Sequence, residues 1–95
     1  MNSKWHVYLL RCADDSLYCG ITTSLQRRVY EHNYSKKSSK YTRSRRPVEL
    51  VWSTTVDNRS QASKLEARIK KMSKKIKEQL VSSYNSSNSI LDNNV

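Results

Sequence analysis

Read with the two-residue alternation of a strand, Trp5 to Cys12 (WHVYLLRC) places Trp5, Val7 and Leu9 on one face and His6, Tyr8 and Leu10 on the other. A second short run, Leu17 to Ile21 (LYCGI), follows Ala-Asp-Asp-Ser. Two β-branched and aromatic runs around so polar a break predict a hairpin. In the second strand Leu17 and Cys19 oppose Ser16, Tyr18 and Gly20. Whether Tyr8 and Tyr18 share a face depends on the turn. An odd-length loop such as Asp14-Asp15-Ser16 unites them, and a two-residue loop separates them. The odd loop would put Asp15 near the left-handed backbone region, which aspartate tolerates.

Helical spacing takes over at Ser24, which can cap a helix over about 24–33 with Leu25 and Val29 as its buried i, i+4 pair. Residues 34–46 (YSKKSSKYTRSRR) have no apolar period and predict a basic loop closed by Pro47. Val48 to Thr54 then alternates as a third strand. From Ser60 onward Ala62, Leu65, Ile69, Met72, Ile76 and Leu80 recur at gaps of three and four, the helical period. Ser73 can interrupt the run as a new N-cap and divide it into two short helices. The chain thus divides into one domain over 1–82 and a Ser/Asn-rich stretch over 83–95 that has little to bury and is expected to be a disordered tail.

Composition narrows the function. With 95 residues and 36% hydrophobic content, the chain has room for one small core. Cys12 and Cys19 are too few for a disulfide scaffold and lack metal-ligand spacing, so they read as buried thiols of a reducing compartment. No apolar run approaches the ~20 residues of a membrane span, and the first residues lack a secretory core. A cytoplasmic protein without a membrane partner is expected, nucleoid-associated when bound. Eighteen Lys and Arg face eight Asp and Glu, a formal charge of +10. A field of that sign seeks phosphate polymers, and counterion release drives their binding.

Four features could carry chemistry. Gly20, the chain's one glycine, serves either a strand-end bulge or the close approach of a ligand. Arg28 and His32 stand one turn apart at the edge of the buried stripe, where an arginine is held rigidly and can offer its fork to a phosphate. Arg27 and Glu31 form a second i, i+4 pair, read as a surface salt bridge. Glu66 is the single carboxylate among eight basic residues between Arg59 and Lys77. It either pairs with Lys70 or, with a cation between it and the substrate, serves phosphoryl chemistry. The loop offers Lys36, Lys37, Lys40, Arg43, Arg45 and Arg46 to phosphates, with Tyr34 and Tyr41 interleaved for base stacking.

Taken in order, Tyr8 in HVY, Tyr18-Cys19-Gly20, Arg28, His32 and Glu66 resemble the GIY-YIG nuclease superfamily, especially its small single-domain bacterial members. The resemblance covers roughly residues 4–82. It implies an α/β (α+β) domain, a small three-stranded antiparallel sheet flanked by helices. The motif tyrosines, the arginine and the glutamate would meet at one site. It further implies a divalent-metal-dependent endonuclease hydrolysing phosphodiester bonds in DNA rather than RNA, structure-selective and linked to repair or recombination. By position, Tyr8, Tyr18, Arg28, His32 and Glu66 would be catalytic. Glu66 would hold one Mg²⁺ or Mn²⁺, and one tyrosine, Tyr8 by preference, would take the proton from the attacking water. Gly20, Arg27 and the basic loop with Tyr41 would hold the nucleic acid. Two positions depart from the pattern: His6 stands where the superfamily name has glycine, and Ile21 where many relatives carry lysine. A phosphate or nucleophile contact is then missing, or comes from Lys40 or Arg43. A monomer or weak dimer is expected, alone or in a larger repair assembly. The alternative is a nucleic-acid-binding module with a degenerate site. An interaction protein working through residues 60–80 is a third, weaker reading.

Overall fold

In the computed structural model, which describes residues 4–93, the hairpin of β1 (Trp5–Arg11) and β2 (Leu17–Thr22) closes through a three-residue loop. Cys12 N–H donates to the Ser16 carbonyl at 2.9 Å, and Asp15 N–H to the Cys12 carbonyl at 2.9 Å. The loop is therefore Ala13-Asp14-Asp15, odd in length as the face-sharing case requires but one residue earlier than the example above. Asp15 takes φ +70°, the left-handed position. Leu10 pairs with Tyr18 and Tyr8 with Gly20, so both tyrosines point to the same face.

The third strand, β3 (Glu49–Val56), joins β1 on its other side, giving the antiparallel order β2-β1-β3 with β2 at an edge. The pairing steps from Leu9–Trp52 to Leu10–Leu50, a bulge that leaves Val51 as the extra residue. Central β1 is buried on both sides, with Val7, Tyr8, Leu9 and Leu10 each 0–1% exposed. One face packs Val7, Leu9, Leu17 and Cys19 against Ala62 and Ile69 of α3 (Arg59–Lys70) and Val81 of α4 (Lys74–Asn93). The other packs Tyr8, Leu10, Cys12 and Val48 against Leu25 and Val29 of α1 (Leu25–Tyr34). This is the α/β arrangement expected: a three-stranded antiparallel sheet flanked by helices. Burying one Leu or Val side chain contributes roughly 1.5–3 kcal/mol, so β1 is the strand the fold can least lose.

Capping residues set the helix ends. Ser24, Asn58 and Ser73 accept from Arg27, Gln61 and Ile76 N–H at 3.4, 2.9 and 3.3 Å. The interruption expected at Ser73 is present. The second helix is long rather than short: α4 continues through the Ser/Asn-rich residues to Asn93, with no proline or glycine to stop it. Residues 94 and 95, the end of the expected tail, lie outside the described residues. The basic stretch also differs from a plain loop, because Ser39 caps a single helical turn, α2 (Lys40–Arg43). Asn33, near the end of α1, grips the backbone at the start of β3. It donates to the Val48 carbonyl at 3.0 Å and accepts from Val48 N–H at 2.7 Å. No helix among the described residues is long and apolar enough to cross a membrane.

Across the far side of the hairpin, Arg11 makes two 2.7 Å bonds to the Glu78 carboxylate, which also accepts from Lys74 at 2.8 Å. These bonds, Arg11's first, hold the Glu78 carboxyl down at about 2. A carboxyl lowered by folding stabilises above its unfolded pKa, near 4.3, and that stability is lost as pH falls toward the folded value. Between pH 5 and pH 2 the wild type should lose more denaturation stability than Glu78→Gln. Parallel curves for the two proteins would show that this junction contributes nothing.

Candidate functional site

Gly20 explains how the site is assembled. Gly20 lies directly beneath the Tyr8 ring: a Cβ built there would overlap the phenol oxygen and stand 2.6 Å from Cζ. The close approach it permits is that of Tyr8, and Gly20 itself is buried. Tyr8 can therefore lie across β2 and extend its hydroxyl toward α1.

There the hydroxyl meets His32 Nε2 at 2.9 Å, and His32 Nδ1 meets Thr42 Oγ1 at 2.8 Å. All three residues are at most 1% exposed. Thr42 Oγ1 lies 3.3 Å from the Ser39 carbonyl and can donate to it. The arrangement that satisfies every group runs in one direction: Tyr8 donates to Nε2, Nδ1–H donates to Thr42, and Thr42 donates to Ser39. The reverse would strand the Tyr8 hydroxyl hydrogen in the core. Tyr18 packs its ring edge-on to His32, with centroids 5.2 Å apart, and stacks on Tyr41 at 5.8 Å. The Arg45 guanidinium covers the Tyr41 ring at 3.9 Å.

Arg28 closes the cluster beside Tyr8. Its guanidinium donates to Glu31 at 3.0 Å and to the Lys37 carbonyl at 2.9 Å. The partner of Glu31 is thus Arg28 at i, i+3, not Arg27, whose one side-chain hydrogen bond among the described residues is to the Thr23 hydroxyl at 3.5 Å. Burial, and then the neighbouring Tyr18 phenol, push the Tyr8 phenol well above its ordinary range, with Arg28 opposing. Burial and the Arg28 charge bring His32 down to about 4, so its ring is neutral at neutral pH. Tyr8 was the preferred base, but its hydroxyl is enclosed and its phenolate disfavoured. Tyr18 is only half-buried, and it is the ring a ligand can reach.

The loop arginines are largely committed within the protein. Arg46 donates to the His32 and Ser35 carbonyls at 2.6 Å each, holding the C-terminal end of α1. Arg43 donates to the Lys36 carbonyl at 2.7 Å, and Arg45 to Asp14 at 2.9 Å. Lys36, Lys37 and Lys40 are exposed and make no side-chain hydrogen bond or ion pair among the described residues. Thr42 and Ser39 escaped the sequence reading, and Arg46 was expected at phosphates rather than on the carbonyls of α1. A hydroxyl inside a run of bases has no periodic signature, and only the Ser39-to-Thr42 cap spacing could have marked it.

Glu66 stands apart from this cluster. It belongs to α3, on the sheet face of Cys19, whose thiol is pushed up to about 11 by burial and then by the Glu66 charge. Tyr18 points to the opposite face. The Glu66 carboxylate pairs with Lys70 at 3.5 Å and is 23% exposed. Tyr8, Tyr18, Arg28 and His32 are therefore brought together, and Glu66 comes from α3, which packs on the opposite face of the sheet beside Cys19. No group of three His, Cys, Asp or Glu side chains among the described residues could enclose a metal. A lone accessible carboxylate suits only an ion that keeps its waters and takes phosphate oxygens, the habit of Mg²⁺.

A small antiparallel sheet flanked by helices, with two motif tyrosines converging on a helix histidine and arginine, is a GIY-YIG-like arrangement. The chain belongs to the GIY-YIG family: the sequence profile described as GIY-YIG catalytic domain matches residues 4–80. It is 54% identical to a UPF0213 protein of Desulfotalea psychrophila over 77 residues, 81% of this chain and 70% of the relative. With a UPF0213 protein of Vibrio cholerae it shares 52% over 80 residues, 83% of this chain and 78% of the relative. Among solved structures, that of a UPF0213 protein from Bacillus halodurans has a TM-score of 0.54 at 42% identity, covering 83% of each chain. A protein from E. faecalis gives 0.59 at 39% identity, covering 90% of this chain and 92% of that one.

Two outcomes test the site. Gly20→Ala should cost roughly 1–3 kcal/mol in chemical denaturation, because the Tyr8 ring has to leave its place. An unchanged midpoint would show that the ring moves freely. His32 is neutral in the fold, so its contribution is complete above about pH 6.5 and declines as pH falls toward about 4. An NMR titration of its ring protons should give a midpoint near 4; a midpoint near 6.5 would contradict the enclosed geometry.

Proposed function

We propose that the chain is a nucleic-acid-binding domain that holds backbone phosphates beside the Tyr8–Tyr18–His32–Arg28 cluster, with DNA as its partner in preference to RNA. The disposition of charge carries this reading. Of a formal +10, the loop arginines are spent on carbonyls and Asp14, while Lys36, Lys37 and Lys40 face outward next to Arg28 and Tyr18. Such lysines act as point charges that track a backbone without reading its sequence.

A second reading, metal-dependent hydrolysis of the phosphodiester, is favoured by the assembled cluster itself. A buried tyrosine–histidine–threonine chain is costly to satisfy and more than a sticky surface needs. In that reading Tyr18, having lost its own proton to solvent, acts as the phenolate that takes the proton from water, Arg28 stabilises the charge gathering on the phosphate, and Tyr8 with His32 fixes the surroundings of both. Glu66 would hold a single Mg²⁺ or Mn²⁺, which when bound supplies further neutralisation of the phosphate. Glu66 is paired with Lys70 and no group of three His, Cys, Asp or Glu side chains among the described residues could hold a metal, which is why binding stands as the primary proposal.

One experiment separates the two. Labelled DNA is titrated with wild type and with the combined Lys36→Ala, Lys37→Ala, Lys40→Ala variant at several salt concentrations, with and without Mg²⁺ or Mn²⁺. Binding predicts a steep salt dependence that falls by about 0.9 in log–log slope for each phosphate-contacting lysine removed. Hydrolysis predicts metal-dependent cleavage lost in Tyr18→Phe, Arg28→Ala and Glu66→Gln. Cleavage equal in wild type and all three variants marks a contaminant, and salt-insensitive binding defeats the primary proposal.

A further inference from the structure

The outward face of α1 carries two rings that the cluster does not use. Tyr30 and Tyr34 are 62% and 72% exposed, with ring centroids 5.0 Å apart at an interplanar angle of 45°. Arg27, Tyr30 and Tyr34 follow one another at i, i+3, i+7 and form one stripe, on the side of the helix opposite Leu25, Val29 and His32. Core packing does not account for the rings, since neither belongs to a hydrophobic cluster. Nor does helix propensity, in which tyrosine ranks below the straight-chain residues usual on a solvent face. Tyr41 differs: that ring stacks on Tyr18, lies under the Arg45 guanidinium and is 38% exposed.

We propose that Arg27, Tyr30 and Tyr34 form a stacking platform for unpaired bases of a nucleic-acid strand whose backbone is held at Arg28 and the lysines. The inference rests on the nucleic-acid-binding reading and names the form of ligand it selects. Every base has a π-face, so stacking on tyrosine is tolerant of sequence, and the basic surroundings supply the complementary charge. Arg27, tied among the described residues only to Thr23 at 3.5 Å, can turn its guanidinium to a phosphate or stack on a base. The platform is about one helix width, ~10 Å, around α1 from Arg28, which a strand spans in a few nucleotides. A continuous duplex keeps its bases stacked inside and cannot use the rings, whereas a flap, gap or tail can.

The test compares a labelled duplex with the same duplex bearing a short unpaired tail, by fluorescence anisotropy on the full chain. Wild type should favour the tailed ligand. The combined Tyr30→Ala, Tyr34→Ala variant should lose roughly tenfold or more on the tailed ligand, within the range of base–aromatic stacking, and stay near wild type on the duplex. The combined Tyr30→Phe, Tyr34→Phe variant should keep the preference, since the rings remain. Unchanged affinity of the alanine variant for the tailed ligand overturns this inference alone, as does an equal loss on both ligands. Failure of wild type to bind either ligand overturns it together with the reading on which it rests.

Discussion

A tyrosine hydroxyl enclosed in an apolar core must find a partner, and Tyr8 finds it in His32 at 2.9 Å. That requirement organises one side of the molecule. It demands a glycine beneath the ring, fixes α1 at the height where His32 reaches the hydroxyl, and leaves Nδ1 in need of its own acceptor. Thr42 meets that need, so the short α2 turn is drawn onto the back of the histidine. Removing one member would leave another buried polar atom unpaired, at roughly 1–3 kcal/mol. The chain from sheet to loop therefore stands or falls as a unit.

The same chain divides labour between the tyrosines. Tyr8 is structural in posture: enclosed, protonated and directional. Tyr18 is held by the His32 edge and the Tyr41 face, yet remains open to solvent on its remaining side. Two residues that look equivalent as motif letters thus have different environments, and burial rather than position in the motif separates them.

What could be read from the sequence was whatever repeats. The alternation in Trp5–Cys12, the Leu25/Val29 pair and the run from Ala62 to Leu80 each placed an element, because one face of each must be buried. The ordered tyrosines with Arg28 and His32 located the cluster and the family. Contacts made by lone polar side chains could not be read. Thr42 behind His32, Asn33 on Val48 and Arg46 on the end of α1 depend on chain segments meeting at distances sequence does not encode. The internal bonds of the loop arginines were unreadable for the related reason that a guanidinium satisfies a carbonyl as readily as a phosphate. The gathering of Glu66 with the tyrosines rested on resemblance alone, since no spacing in the sequence ties α3 to the hairpin.

Arginines that bind carbonyls have a further consequence for how the molecule meets its environment. Ion–dipole bonds of this kind, partly buried, are only weakly screened by added salt, whereas repulsion among outward lysines is screened strongly. Salt should therefore release a polyanion while relaxing the self-repulsion of the folded chain. A bound polyanion does the second job itself, supplying the countercharge that the free protein lacks and adding its binding free energy to the fold. The most fragile state of this protein is then the unbound one in dilute buffer.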